Sequence, residues 1–233
     1  MRVEPLGDSA LIVRLSDEFS PETSLRAVLG AVNHLEAAAI PGVIEVAPAY
    51  NTIGVFYEPA RIELAPDESP FDVLATKIQS VLNAAAFETE NEQGSRVIEI
   101  SVCYDREFAL DLADVAVRAG LSQDEVVRRH STASYQVNCV GFTPGFPYLS
   151  GLPTELATPR RATPRTEIPA GSVAIGGTQT GIYPRKSPGG WNIIGRTPLL
   201  LFDVQREPPA LLQAGDQVRF RQISRDEFEA LAG

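Results

Sequence analysis

Apolar positions in the first third of the chain change period in a regular way. Residues 3–6 and 10–15 are short apolar stretches about a Gly7-Asp8 turn, which predicts a β-hairpin. Leu25, Val28, Leu29, Val32 and Leu35 then recur at helical spacing. Ser20-Pro21 supplies an N-cap and a first helical residue, and Pro41-Gly42 supplies the stop. Residues 43–47 and 52–57 read as strands flanking a turn at 48–51. Ser69-Pro70 repeats the start signal, and Phe71, Leu74, Ile78 and Val81 or Leu82 form the buried stripe behind it. The pattern is ββα followed by ββα or, if the first strand is weak, part of a βαββαβ ferredoxin-like unit. Either arrangement predicts a small α/β sandwich ending near Ala86, with these stripes as its core.

The polar, acidic segment 88–96 breaks the pattern and is predicted to be a linker. That places one domain at 1–92 and a second at 93–233. Residues 97–103 resume as an apolar strand, and 111–119 form a short helix. Ser122, with Glu125 three residues later, is a capping box for a second helix reaching about His130. Residues 135–140, 199–202 and 217–223 read as further strands, with a Gly215-Asp216 turn before the last. Ser224 with Glu227 opens a terminal helix. Many short strands between Gly/Pro turns predict a β-barrel with a few small helices, and an α+β class overall.

Composition changes this picture in one place. The 233 residues are 44% apolar and carry a net charge of −10, with a pI near 4.8. That balance argues against general nucleic-acid or anionic-membrane binding, both of which need a broad basic face. Residues 141–200 depart from it: they hold 10 of the 18 Gly, 9 of the 18 Pro and the single Trp. They also carry six basic residues against two acids. The segment reads as ordered loops and short strands that present a surface able to take a small anion. Cys103 and Cys139 lie in no CxxC spacing, and His34 and His130 are far apart, so reduced thiols in a cytoplasmic protein and no metal site are expected. No apolar run resembles a signal peptide or reaches the length of a membrane span.

The candidate chemistry lies in that segment. Gly171 to Gly176 has the gap of a phosphate loop, but Gly177-Thr178 follows where Lys-Ser/Thr is needed, so it is no Walker A. Arg160, Arg161 and Arg165 stand among Pro159, Pro164 and Pro169, whose stiff backbone could fix the guanidinium forks; the alternative is a solvated basic loop. Residues 176–181 are either an anion nest of backbone N–H groups or a tight hairpin. Gln179 and Thr180 at its tip can pair with an amide or carboxylate. Phe142, Phe146, Tyr148, Tyr183 and Trp191 stand among glycines; part of this set is expected to be core and part a pocket wall. His130 is the only His nearby, either a general base or a structural residue at a helix end. His130 and Arg165 are therefore the candidate catalytic residues. Phe142, Gly145, Phe146, Tyr148, Arg160, Gln179, Thr180, Tyr183, Trp191 and Arg196 are the candidate substrate contacts.

Several motifs carry a resemblance. They are Gly141-Phe142-Thr143-Pro144-Gly145-Phe146-Pro147-Tyr148-Leu149, Thr158-Pro159-Arg160-Arg161, Ile168-Pro169-Ala170-Gly171-Ser172, Gln179-Thr180-Gly181-Ile182-Tyr183-Pro184 and Ser187-Pro188-Gly189-Gly190-Trp191. Together with Gly7-Asp8, Asp111-Leu112 and Gly215-Asp216 near the two ends, they resemble the KipI / allophanate hydrolase subunit 1 family. The resemblance implies a small α/β N-terminal domain and a cyclophilin-like β-barrel domain. It implies one component of bacterial ATP-dependent 5-oxoprolinase, which opens a small lactam, 5-oxo-L-proline, to L-glutamate. The partners it implies are a cyclophilin-like C-subunit (KipA-type) homologue and an A-subunit homologue. ATP with Mg would then be used in the assembled complex, with no metal or organic cofactor held by this chain. The family's other roles are inhibition of a sensor histidine kinase and a place in urea carboxylase or allophanate hydrolase chemistry.

Overall fold

A computed structural model of the protein describes residues 1–17, 21–84 and 96–232, apart from the side chains of 21–23. The predicted N-cap Ser20 and the predicted linker 88–96, except Arg96, lie outside the described residues. The chain divides into two compact units, Met1–Gly94 and Ser95–Gly233.

The first unit is a four-stranded antiparallel sheet with two helices. Strands β1 (Arg2–Pro5) and β2 (Ala10–Arg14) form the predicted hairpin, pairing Arg2 with Arg14 and Pro5 with Leu11. Helix α1 (Pro21–Ala37), strands β3 (Val43–Ala49) and β4 (Thr52–Tyr57), and helix α2 (Pro70–Ala84) follow. The sheet order is β1-β2-β4-β3. This is the order of a βαββαβ sandwich in which N-terminal β1 takes the edge place that a C-terminal strand otherwise fills. Alternation on the strands and helical spacing on α1 and α2 aim Leu11, Val13, Ile53 and Val55 at Val28, Val32, Leu35, Leu74, Ile78 and Leu82. Ser69 caps α2: its Oγ accepts from the Asp72 N–H at 3.2 Å and donates to the Asp72 carboxylate at 2.6 Å.

The second unit is built on seven strands: β5 (Val97–Val102), β6 (Ser134–Val140), β7 (Pro147–Ser150), β9 (Ser172–Gly176), β10 (Gln179–Ile182), β12 (Asn192–Arg196) and β13 (Gln217–Gln222). Their order is β12-β9-β10-β7-β6-β13-β5, and only β13 and β5 run parallel among these neighbours. The two edges meet at one bridge. The Cys103 N–H donates to the Arg196 carbonyl at 2.8 Å, and the Arg196 N–H to the Cys103 carbonyl at 2.9 Å. The sheet is thereby curled into a barrel. Its inner face and helices α3 (Leu112–Ala119) and α4 (Gln123–Thr132) share one core, including Ile100, Val137, Leu149, Ile175, Val115 and Val126. A two-stranded ribbon, β8 (Arg165–Ile168) with β11 (Ser187–Gly189), completes the strands. The closing helix α5 (Arg225–Ala232) has a reciprocal capping box: the Glu227 N–H donates to Ser224 Oγ and the Ser224 N–H to the Glu227 carboxylate, both at 3.2 Å.

One predicted strand is corrected. Residues 199–202 form no ladder; Phe202 makes a single bridge to Ala210 while Leu201 is buried in the barrel core. Pro198 before the run and Pro208-Pro209 after it lack the N–H groups a ladder needs, so the apolar run serves as a plug. No helix of the described residues is long and apolar enough to cross a membrane.

Candidate functional site

The outer face of strands β12, β9, β10 and β7 carries an aromatic cluster. Alternation sends Val173, Ile175, Ile182 and Ile194 into the barrel and leaves Ala174 and Ile193 outside, with Phe146, Ile168, Tyr183 and Trp191. Two glycines make room for the indole. A Cβ at residue 176 would sit 2.4 Å from Cδ2 and Cε2 of Trp191, and one at residue 181 would sit 3.0 Å from its Cζ3. Phe146 meets Trp191 and Tyr183 edge-on at centroid distances of 5.5 and 5.2 Å, and Tyr148 meets Trp191 at 5.9 Å. Phe146, Tyr183 and Trp191 are buried by this packing, whereas Tyr148 is half exposed.

The arginines are arranged around this wall in two layers. Arg160 is exposed, with its guanidinium carbon 5.8 Å from the centre of the Trp191 ring, and it makes no ion pair among the described residues. Asn192 fixes the backbone beside it by donating to the Pro159 carbonyl at 2.9 Å, and Arg161 does so by donating its N–H to the Gly190 carbonyl at 2.7 Å. Beneath lies Asp111, at the N-terminal end of α3 and 1% exposed. Its carboxylate accepts from Arg161 Nη1 at 2.7 Å, from Arg165 Nη1 and Nη2 at 2.8 Å each, and from the Ile193 N–H at 2.7 Å. Burial pushes the Tyr148 and Tyr183 phenols up, while Arg160 pulls both back and Arg165 pulls on Tyr183.

The turn 141–146 adjoins the cluster. Phe142 sits at φ +70° yet leaves its ring 66% exposed, a costly backbone state for an aromatic residue. Gly145, at φ +82°, lies against the chain at 201–202, where a Cβ would come within 2.7 Å of the Phe202 Cβ. Its place in the motif follows from that contact rather than from a ligand. Residues 140–145 line a shallow recess of about 280 Å³.

Four expectations need correction. His130 is fully buried, stacked on Phe220 at 4.5 Å, with both ring nitrogens engaged. Thr180 Oγ1 donates to the Ala174 carbonyl at 3.0 Å, so it accepts from His130 Nε2–H at 3.1 Å, and Nδ1 accepts from the Tyr104 O–H at 2.9 Å. Burial holds this imidazole down at a pKa of about 3, so it is a neutral core residue and cannot reach a substrate as a base. Thr180, predicted at a hairpin tip, is equally buried within the barrel. Arg196 gives Nε to the Ala170 carbonyl at 2.8 Å, and its guanidinium lies 5.8 and 6.0 Å from the rings of Phe108 and Phe228, so it braces the barrel closure. The hairpin reading holds for 176–181: Gly177 and Thr178 turn β9 into β10, and the Gly177 N–H is spent on the Thr158 carbonyl at 2.7 Å. Gln179 is half-buried and closes the hairpin opposite Gly176, directly after the turn.

The family described as carboxyltransferase domain, subdomain C and D, matches residues 1–212. The chain belongs to that family. Among its relatives, the B subunit of the Bacillus subtilis 5-oxoprolinase is 41% identical over 98% of this chain and 95% of its own. The crystal structure of TTHA0988 is 36% identical with a TM-score of 0.75; the match covers 92% of this chain but 40% of that longer one. The crystal structure of the K. lactis urea amidolyase covers 98% of this chain and 15% of its own at a TM-score of 0.78, and at 19% identity that likeness concerns the fold alone.

Within this family member, sequence reasoning brought Arg160, Tyr148, Trp191 and Arg165 to one neighbourhood and missed Asp111. The signal was faint. An Asp that opens a helix is an ordinary N-cap, yet this one makes no side-chain cap bond and gives its carboxylate to the arginines instead.

Proposed function

We propose that the chain is the B subunit of an ATP-dependent 5-oxoprolinase that converts 5-oxo-L-proline to L-glutamate with C-subunit and A-subunit homologues. The observation that carries this reading is the near full-length match to the B subunit of the Bacillus subtilis 5-oxoprolinase. The site chemistry supports it. A five-membered lactam is flat and carries a carboxylate; Tyr148 offers a half-exposed ring and Arg160 an unpaired guanidinium over Trp191. The need for partners supports the same reading from the other side, because the described residues bring cations and rings to the site while the one histidine near it, His130, is buried. Phe142, exposed in a strained turn, is our candidate for contact with such a partner.

ATP would supply the phosphoryl group that turns the lactam carbonyl oxygen into a leaving group. The glycine-rich hairpin does not fit a nucleotide phosphate, since the Gly177 N–H is spent and Gly177-Thr178 stands where a phosphate loop has Lys-Ser/Thr. We therefore assign ATP and Mg to the assembled complex, in the cytoplasm, and expect the isolated chain to be inactive. This chain's part is to bind and orient the anionic end of the lactam.

Reconstitution tests the reading. ATP-dependent glutamate release is expected only when the chain is mixed with both homologues. Arg160→Ala should lower kcat/KM roughly tenfold or more, as expected for loss of a charge-assisted hydrogen bond worth about 1.5–3 kcal/mol. Its melting temperature should stay put, because Arg160 makes no ion pair among the described residues. Failure of the complete mixture to form glutamate sinks the function; wild-type kinetics for Arg160→Ala removes this residue from the site.

A further inference from the structure

We propose that Asp111 is a positioning residue, holding Arg161 and Arg165 as a preformed pair for an anionic oxygen group, carboxylate or phosphoryl. The argument begins with charge. A buried carboxylate needs one cation, and Arg165 alone meets Asp111 with two bonds of 2.8 Å. Arg161 adds one bond of 2.7 Å and leaves the cluster at +1. No other carboxylate among the described residues pairs with either arginine. Arg161 is also under-used: its buried Nε has no partner, and its Nη2 makes no hydrogen bond among the described residues. A structural clamp would be complete with the first arginine, so the second is donor capacity held ready.

The geometry fits pre-organisation. Asp111 is anchored from both sides: its carboxylate accepts the Ile193 N–H at 2.7 Å, and its own N–H donates to the Ile193 carbonyl at 2.8 Å. Both guanidiniums are thus tied to β12, next to Trp191. Their side chains remain 33% and 23% exposed, so an anion can reach them. Two forks fixed before the ligand arrives lose less rotamer freedom on binding than free arginines would.

The inference rests on the enzyme reading only for the identity of the anion, and the experiment separates the two. The full chain is titrated with inorganic phosphate and, separately, with 5-oxo-L-proline, followed by the emission of Trp191, the single Trp. Saturable binding is expected; a preference for phosphate marks a phosphoryl site, and a preference for 5-oxo-L-proline marks a carboxylate site. Arg161→Gln should weaken binding roughly tenfold or more with an unchanged melting temperature, because Asp111 keeps Arg165 and the Ile193 N–H. Arg161→Lys should recover part of the affinity, since it keeps charge but loses the fork. Asp111→Asn should weaken binding comparably without touching the ligand, and in the assembled enzyme should raise KM more than it lowers kcat. If Asp111→Asn does not fold, the Arg161 pair carries the test. No saturable binding by the wild-type chain, or wild-type affinity in Arg161→Gln, overturns the proposal. Glutamate release by an assembled enzyme whose free chain binds neither probe would overturn it while leaving the enzyme reading intact. Anion binding without glutamate release would do the reverse.

Discussion

Replacing Trp191 by Ala should destabilise the barrel unit by about 3–5 kcal/mol, the usual cost of emptying a large buried aromatic site. The indole is 5% exposed and is met edge-on by Phe146 and Tyr148, so its removal leaves a space that these rings cannot close without abandoning each other. The companion change is Gly176→Ala. Its new Cβ would lie 2.4 Å from the fused bond of the indole, a ring already met edge-on by Phe146 and Tyr148. Overpacking of this kind costs about 1–3 kcal/mol. The two effects should not add: with Trp191 already removed, the added methyl has nothing to strike, and its cost should fall toward zero. Urea unfolding of the four proteins of this cycle, monitored by far-UV circular dichroism, measures the coupling. Equal cost for Gly176→Ala in both backgrounds would mean that the glycine answers to something other than the indole.

The second large effect is acid lability carried by His130. Its ordinary pKa of 6.5 is pressed down to about 3 by burial. The folded state therefore resists a proton that the unfolded state takes up readily below pH 6.5. Stability tied to this group is fully present above pH 6.5, declines as pH falls through that value, and goes on declining to about pH 3. At about 1.4 kcal/mol per pH unit, the loss at pH 5 is about 2 kcal/mol. His130→Gln removes the titration and keeps a donor toward Thr180. Its stability should vary less with pH than that of the wild type between pH 6.5 and 5, where most carboxylates remain ionised. Parallel curves for the two proteins in that window would show that the imidazole is protonated in the fold.

The helices of this protein could be read from the sequence because their signals are local. Ser122 with Glu125, Ser224 with Glu227 and Ser69 ahead of Phe71 and Leu74 are each confined to one turn, and each cap bond forms. The site divides along the same line. The aromatic residues and Arg160 were legible because all lie in the one Gly- and Pro-rich segment 141–200, although Trp191 meets Arg160, Tyr148 and Phe146 across 31, 43 and 45 positions. Asp111 meets its arginines across 50 and 54 positions, a distance no periodicity records. His130 and Thr180 misled because a polar side chain looks the same whether it faces water or satisfies another polar group inside a barrel. Residues 199–202 misled for the converse reason: an apolar run says that something is buried, not that it pairs.

The parallel pairing of β5 with β13 has a consequence for synthesis. Val97 waits for Gln217, 120 positions further along, and the rest of that ladder waits with it. Strand β6 meets the same late partner, pairing Tyr135 with Val218. A chain leaving the ribosome can therefore build the ribbon from β6 through β12, but it cannot join β5 to that ribbon through β13 until that strand emerges. During that interval Ile100 and Val102 lack their eventual neighbours Val218 and Phe220. For most of its translation the nascent barrel is an open trough with an apolar lining, the state in which folding helpers and wrong partners compete for it.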